Sequence, residues 1–430
     1  MQQLLKRRSL LKRGWLVSLL LAAAISGCAA TAPSATLEMM LQRTNADDIS
    51  SVNKMAMDDQ PLRAFAMLEG ILQKQPFLSG YAAQISAFLG RDNATRALFD
   101  SQRKPYTADK SVLVAELSAR NAIEEIVAAS KNYRVVIINE GHASQRERVF
   151  SHLLAKALKP AGFTHLGFEA LNSGGETGIP QDGPTRDTTF YTIDPVFSDY
   201  IRQTKKIGYE VFGYEPDHEE QSKGDQKQQF YAREFGQAQN IKRVLDANPN
   251  AKILIHCGGG HGSKALYRGE ILMGGHLMAM MSADVLSIQQ GGGIPNSAPV
   301  FDLPVYQSVA PLMLPSKPTV FRKSDGKWLA SPGFDMVVFH PRVPDIYDRG
   351  GWMTMDGYRK LHLVDIPAQP ARTLVRARVW PLQARGIAMD QVVAYAGDTQ
   401  APLFLPVGEY QLSRDSETGE KTILGRVKIK

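Results

Sequence analysis

The sequence predicts an α/β fold in which a mostly parallel sheet is flanked by helices. Four short apolar runs have the features of buried strands: they are rich in β-branched or aromatic residues and are bounded by glycine or polar residues. They cover residues 134–139, 165–168, 210–214 and 252–255. Helical spacing in the segments between them indicates that consecutive strands run in the same direction.

Changes in composition along the chain predict five regions. Residues 1–27 form a signal peptide, and residues 28–37 form a small-residue tether. A helical region follows over residues 38–108, and the α/β domain covers residues 109–366. From residue 367 to residue 430 the pattern changes to short alternating strands separated by turn residues. This last region is predicted to be a small antiparallel β-domain.

The leader has the features of an export signal. A basic segment precedes the apolar run 14–25, which ends in Ile25-Ser26-Gly27-Cys28 and resembles the lipobox of bacterial lipoproteins. The resemblance implies an acylated Cys28 and a partner in membrane lipid, while an ordinary signal peptide with a chance cysteine is the alternative. Ala29 favours the outer membrane, facing the periplasm. Arg7-Arg8 leaves the twin-arginine and Sec export routes both open.

The net charge gives no case for a nucleic-acid partner. Of the 50 basic residues, five lie in the leader, so 45 basic residues face 43 acidic ones in the mature chain. A protein that binds nucleic acid through electrostatics needs a clear basic excess. The sequence does not indicate the oligomeric state.

Acidic and histidine side chains follow the ends of the four predicted strands. They are Glu140 and His142, then Glu169, then Glu215, then His256 and His261. Parallel strands place their carboxyl ends at one edge of the sheet, where ligands bind in open α/β folds. We therefore expect residues that are far apart in sequence to meet in one site that is rich in carboxylates and imidazoles.

These residue types suit acid/base chemistry near neutral pH. A neutral imidazole at His142 could take a proton or bind a metal ion, and Glu140 could fix its tautomer. Glu169 is a second candidate acid, base or ligand, and His261 a candidate ligand or electrophile. Two ordinary structural alternatives remain: Glu140 and His142 could be a solvated loop pair, and His256 could be a core residue.

Three further residues are candidates for substrate binding: Glu215, His256 and Arg233. Glu215 repeats the pattern of an acid directly after a strand. Arg233 precedes the fourth strand within a predicted helix, where it could bind an anionic or carbonyl group. A solvent-exposed arginine on a helix surface is the alternative.

Short motifs in this order resemble the erythromycin-esterase/ChaN-like superfamily, which includes TraB/Tiki-type proteins. The resemblance rests on 135–142, ending in Asn139-Glu140-Gly141-His142, and on Gly167-Phe168-Glu169. It continues with Arg233 followed by Gln239-Asn240, and with Gly260-His261. It covers residues 111–290 and departs from the family pattern at Asn139, where a glycine is usual. The two-residue spacing from Glu140 to His142 is similar to that of the ChaN-like branch.

The resemblance implies an α/β sheet core and functional residues at Glu140, His142, Glu169 and His261. Known members include esterases, metal-dependent peptidases and a haem-binding lipoprotein. We therefore expect an envelope lipoprotein with a hydrolase site for a small-molecule or peptide substrate. A divalent metal ion bound by His142, His261 and Glu169 would assist such a site. The alternative is a lipoprotein that holds haem or a metal ion without turnover. A third possibility is a scaffold whose C-terminal β-domain binds envelope partners.

Overall fold

The structure is a computed structural model that describes residues 46–109, 114–172, 179, 182–217 and 224–430. The predicted signal peptide, its Cys28 and the tether lie outside these residues. None of the helices in the described ranges is both long enough and apolar enough to cross a membrane.

Helices precede, flank and follow the strands of a central sheet. The α-helices are α1 (Ala46–Met57), α2 (Pro61–Leu72), α3 (Ser79–Ala87), α4 (Asp92–Asp100), α5 (Ala122–Ala129), α6 (Gln145–Leu158), α7 (Pro195–Lys206), α8 (Gln226–Ala247), α9 (Met273–Met281) and α10 (Pro304–Val309). The strands are β1 (Ser118–Asn121), β2 (Val135–Glu140), β3 (His165–Asn172), β4 (Glu210–Glu215), β5 (Ile253–Gly258), β6 (Leu286–Gln289), β7 (Thr319–Arg322), β8 (Met336–Val337), β9 (Asp345–Ile346), β10 (Arg349–Gly350), β11 (Lys360–Asp365), β12 (Thr373–Val379), β13 (Asp390–Ala394), β14 (Gln400–Leu405), β15 (Gly408–Ser416) and β16 (Lys421–Ile429).

The central sheet has six strands in the order β4-β3-β5-β2-β6-β8, and every pairing in it is parallel. Its first four strands by sequence are the four predicted apolar runs, so the prediction of an α/β protein with a parallel sheet is confirmed. Strands β2 and β5 lie side by side at its centre and are buried along their whole length. This burial explains why both read as continuous apolar runs rather than as alternating ones.

Helices cover both faces of the sheet. One face packs against α6 and α7 through a core that includes Phe150, Leu154 and Tyr200. The other face packs against α8 and α9 through a core that includes Ile241 and Leu277. A two-sided cover of this kind leaves the carboxyl edge of the sheet as the natural place for a ligand site.

The C-terminal region is antiparallel, as predicted. Strands β12, β13, β15 and β16 form a four-stranded sheet in the order β13-β12-β15-β16. Strand β14 pairs instead with β11, which precedes residue 367, so antiparallel pairing begins before the predicted boundary. The alternation of buried and exposed residues along a strand does not reveal which other strand lies beside it.

The N-terminal helices pack against this C-terminal sheet. One apolar core joins residues of α1, α2 and α3 to Leu374 and Val393. Ion pairs reinforce the contact: Arg376 lies 2.6 Å from Asp59, and Arg372 lies 2.7 Å from Glu69. The N-terminal helices are therefore held in place by the end of the chain, which is distant from them in sequence.

Candidate functional site

The candidate site lies where β2, β3, β4 and β5 end. Glu140 is the last residue of β2, and Glu215 is the last residue of β4. His256 lies inside β5, and the turn that follows this strand brings His261 back toward the same edge. Glu169 lies within β3, directly after Phe168, the last residue of this strand that pairs with β5. Parallel pairing therefore places residues that are more than a hundred positions apart at the same level of the sheet.

Arg148 anchors the first half of the site. Its guanidinium donates to both carboxylate oxygens of Glu140, at 2.6 and 2.7 Å, and also donates to Asp194. All three side chains are buried. Burial alone would raise the pKa of Glu140, but the Arg148 guanidinium outweighs it and holds that pKa well below its usual range. Glu140 is therefore an ionised carboxylate in the interior.

The carboxylate of Glu140 also contacts one ring nitrogen of His142. Its Nδ1 lies 3.2 Å from Oε1 of Glu140, and its ring packs against Tyr191 with 4.6 Å between ring centroids. The other ring nitrogen, Nε2, is buried and has no hydrogen-bond partner among the described residues. A carboxylate on Nδ1 favours the tautomer that leaves the Nε2 lone pair free to accept a proton. This pairing is the arrangement in which an imidazole acts as a base.

Arg233 organises the second half of the site. Its guanidinium donates to Oε1 of Glu215 at 2.6 Å and to Oε1 of Glu169 at 2.5 Å, and its Nη1 lies 2.9 Å from Nε2 of His261. Glu169 also accepts the backbone N–H of Gly258 at 2.5 Å. Burial would raise the pKa of Glu169, but His261 and Arg233 hold it below its usual range. Glu169 is therefore ionised, like Glu140.

The surroundings of the two remaining histidines, His261 and His256, shift their pKa values in opposite directions. His261 is buried, which alone would lower its pKa, but Glu234 at 2.6 Å and Glu169 at 3.4 Å raise it. Burial lowers the pKa of His256 to about 4, although its Nε2 lies 3.5 Å from Glu140. His256 is consequently a neutral, buried ring beneath the site, which agrees with its alternative interpretation as a core residue.

Asn139 stands where a glycine is usual in the family that the motif resembles. Its side-chain amide donates to the carbonyl of Gly259 at 2.7 Å, and its side-chain oxygen accepts the backbone N–H of Gln290 at 2.6 Å. The asparagine thus ties the loop after β5 to the segment after β6.

A cleft of about 900 Å³, including the solvent at its mouth, opens beside His142. One wall is the segment 141–147 at the start of α6, and another is formed by residues 291–296. The third wall comes from the N-terminal helices, through Gln84 of α3 and Arg96 of α4. Helix α4 is fixed there because Asp100 accepts the N–H of Ser297 at 2.7 Å and its hydroxyl at 2.8 Å.

Glu147 also lines this cleft and is fully buried. Its Oε2 accepts the backbone N–H of Gly141 at 2.7 Å, whereas its Oε1 has no hydrogen-bond partner among the described residues. Burial raises the pKa of Glu147 to about 8, and the negative charge of Glu140 adds to this effect. At neutral pH Glu147 is therefore a protonated acid that lines the same cleft as His142.

The structure brings all seven residues predicted for this site to the same edge of the sheet: Glu140, His142, Glu169, Glu215, Arg233, His256 and His261. Ion pairs join them into two groups, one around Glu140 and one around Arg233, and Gly258 lies against His142 of the first group and Glu169 of the second. Arg233 contacts two strand-end acids, so its surface-helix alternative is wrong. Four participants were not predicted: Glu147, Arg148, Asp194 and Glu234. The first two belong to the charged segment 145–148, which resembles an exposed helix start although all four of its side chains are buried.

The arrangement does not fit the expected metal ion. Within the described ranges, no group of three or more His, Cys, Asp or Glu side chains is placed to hold one. Of the three expected ligands, Glu169 and His261 both face the Arg233 guanidinium. That guanidinium already supplies positive charge at the centre of the cluster and would repel a metal cation there. Of the three, only His142 keeps a ring nitrogen, Nε2, that has neither a hydrogen bond nor an ion pair within the described part of the chain.

Comparisons with known proteins add little to this picture. No protein-family model matches the chain, and no curated protein matches its sequence. One solved structure, titled "Crystal structure of bacterial protein toxins", is similar over 48% of this chain and 44% of that chain, with 15% identity and a TM-score of 0.30. Similarity at that level supports no conclusion about this protein's function.

Proposed function

We propose that the cluster is the active site of a hydrolase acting on an ester or amide. The observation that carries the proposal is His142: its Nδ1 is held by an ionised carboxylate, its buried Nε2 has no hydrogen-bond partner among the described residues, and the side chain lies at a cleft. An imidazole in this state is suited to remove a proton from water as the water attacks a carbonyl carbon. No metal ion is required for this step.

Glu140 would stabilise the positive charge that forms on His142. When Nε2 takes a proton the ring becomes an imidazolium, and Oε1 of Glu140 lies 3.2 Å from its other nitrogen. Arg148 keeps Glu140 ionised, so the carboxylate orients the ring without taking the proton itself. The carboxylate and the guanidinium are thus positioning groups for His142.

Glu147 would serve as the matching acid. Hydrolysis needs a proton for the leaving oxygen or nitrogen, and Glu147 is a protonated carboxyl in the same cleft. Two ionisable groups whose environments separate their pKa values are typical of an acid/base pair. Glu147 fits the acid of such a pair, because burial keeps its proton at neutral pH.

The motif order supports a relationship to the erythromycin-esterase/ChaN-like superfamily. The four positions that the resemblance implies, Glu140, His142, Glu169 and His261, lie in one cluster. Asn240 donates to the carbonyl of Tyr214 at 3.0 Å and so holds the end of β4. With the lipobox at Cys28, we propose a lipid-anchored envelope protein of this type, on the periplasmic side of the outer membrane.

The test is a panel of 4-nitrophenyl esters and labelled peptides, assayed with and without EDTA. We expect turnover that EDTA does not abolish and that His142→Ala lowers by about 10²–10⁴-fold. His165→Ala is a matched control, because His165 is also buried but lies at the start of β3, away from the cluster. Full activity in His142→Ala would refute the proposal.

A second candidate is a haem-binding lipoprotein without turnover. The observation that favours it is that Nε2 of His142 has no hydrogen-bond partner among the described residues in a side chain that lines the cleft, since such a nitrogen could ligate haem iron. Titration of the purified protein with haemin distinguishes the two. A shifted Soret band that disappears in His142→Ala, together with inactivity across the ester and peptide panel, would support the binding protein.

A further inference from the structure

Arg146 is a buried guanidinium in the wall of the cleft. Its side chain lies at the start of α6 and is only 8% exposed. Its Nη2 donates to the backbone carbonyl of Pro341. Among the described residues, no carboxylate lies within ion-pair distance of it. A buried charge that lacks an opposite partner is costly, which makes its presence beside an active site informative.

The other arginines of the cleft are paired. Arg96 lies 2.9 Å from the carboxylate of Asp92. Arg103 lies 3.5 Å from the carboxylate of Asp100 and packs over the ring of Phe99. Arg146 therefore differs from its two neighbours in having no carboxylate within ion-pair distance among the described residues, although Asp92, which pairs with Arg96, also acts on its charge from farther away.

The nearest acid along the helix does not neutralise Arg146 either. Glu147 is protonated at neutral pH because burial raises its pKa to about 8. Burial also lowers the pKa of Arg146 to about 10, which still leaves the guanidinium charged at pH 7. At neutral pH the cleft therefore combines a positive group, a neutral acid and the His142 base.

We propose that Arg146 binds an anionic group of the substrate, so that the enzyme acts on an ester or amide that carries a carboxylate or phosphate. This inference rests on the proposed hydrolase function. Phe99, Ile294 and Leu303 supply an apolar wall in the same cleft, which suits an apolar body attached to the anionic group. A guanidinium can donate two parallel hydrogen bonds to the oxygens of either anion.

The anionic group would also orient the scissile bond. Arg146 and Glu147 are neighbours on α6, and His142 lies just before this helix, so all three line the same stretch of wall. A substrate held at one end by Arg146 would present its remaining length to His142. A neutral substrate would lack this attachment and would leave the guanidinium desolvated without a partner.

Binding can be measured without turnover. Isothermal titration calorimetry would compare octanoate and octyl phosphate with the neutral probe octanamide, using the intact purified protein. We expect at least one of the two anions to bind about 10–100-fold more tightly than octanamide, the range of a buried charge-assisted hydrogen bond. The tighter anion identifies the substrate group as a carboxylate or as a phosphate.

Variants assign the preference to Arg146. Arg146→Gln should remove the preference for the anion, whereas Arg146→Lys should retain part of it because the charge remains. Arg103→Gln is the matched control: it removes a cleft arginine that already has Asp100 as a partner, and the preference should change less than about threefold. Melting temperatures of all variants show whether each remains folded.

The inference is overturned if neither anion binds more tightly than octanamide, or if folded Arg146→Gln keeps the wild-type preference. Its failure is separable from that of the proposed function. Anion binding that depends on Arg146 in a protein inactive toward all esters and peptides would leave the anion site standing and refute the hydrolase. Activity that depends on His142, without a preference for anions, would support the hydrolase and refute the anion site.

Discussion

A Cβ atom at Gly258 would lie 2.2 Å from Cε1 of His142 and 3.3 Å from Oε2 of Glu169. The last residue of β5 therefore passes directly against two side chains of the proposed active site. The requirement for glycine is steric contact with the imidazole, because the backbone angles at this position are those of a strand. The same residue donates its N–H to Glu169 at 2.5 Å.

Gly258→Ala is expected to displace the imidazole of His142 and to lower kcat/KM by about 100-fold, although it removes no functional group. The measurement is steady-state kinetics on the best substrate of the panel. Gly70→Ala is the control, since a Cβ at that position in α2 meets nothing within 4 Å. That variant should keep full activity and melt slightly higher. Wild-type kinetics in Gly258→Ala would contradict the contact with His142.

The raised pKa of Glu147 predicts a basic limit to activity. Its carboxyl is protonated at neutral pH and loses its proton as the pH rises through about 8, so the proposed acid disappears there. We expect kcat/KM to fall above pH 8 in the wild type. Glu147→Gln should be slower at all pH values and should no longer show this decrease of kcat/KM above pH 8. If Glu147→Gln shows the same decrease at the same pH, the decrease belongs to another group.

The same group predicts how stability depends on pH. The pKa of Glu147 is higher in the folded state than the value of about 4.3 expected in the unfolded chain. Between roughly pH 4.5 and 8 the unfolded state therefore binds fewer protons, and the contribution of Glu147 to stability falls as the pH rises. Relative to wild type, Glu147→Gln should gain up to about 1.4 kcal/mol of unfolding free energy per pH unit in this window. Urea denaturation across the window measures this, with exposed Glu420→Gln as the control that should track the wild type.

Arg148 is predicted to be essential for stability as well as for the site. Arg148→Met would leave Glu140 and Asp194 as buried carboxylates without their guanidinium partner. We expect a loss of about 3–5 kcal/mol of unfolding free energy, measured by chemical denaturation. Adding Glu140→Gln should restore part of the lost unfolding free energy, because it removes one of the two buried charges that no longer have a guanidinium partner. Arg63→Met, on the exposed face of α2, should have little effect. A stable Arg148→Met protein would show that the two acids are not held by charge pairing.

Membrane attachment is predicted to depend on Cys28. Cys28→Ala removes the thiol that the lipobox offers for acylation, so the protein should move from the membrane fraction to the soluble periplasmic fraction. Fractionation followed by immunoblotting measures the shift, and Cys257→Ala is the control because that thiol is buried in β5. Unchanged membrane association of Cys28→Ala would contradict lipid anchoring.

The sequence by itself predicted the sheet and most of the residues that meet at its edge. The strands of a parallel sheet are covered on both faces, so β2 and β5 had to be apolar throughout, and that pattern is local. Glu140, Glu169 and His261 could be found because each lies at or just beyond the end of such a run. The shared direction of the strands then implied that these side chains converge.

Only the tertiary structure showed which charges are buried. The segment from Gln145 to Arg148 has the composition of an exposed helix start, yet it is enclosed by the sheet edge, α7 and the N-terminal helices. Glu147 differs from a solvated glutamate, and Arg146 from a paired arginine, through contacts with residues far away in sequence. The wall of the cleft formed by α3 and α4 likewise depends on contacts between residues that are far apart in sequence. Burial and charge pairing depend on neighbours in space, and a pattern along the chain records neighbours in sequence.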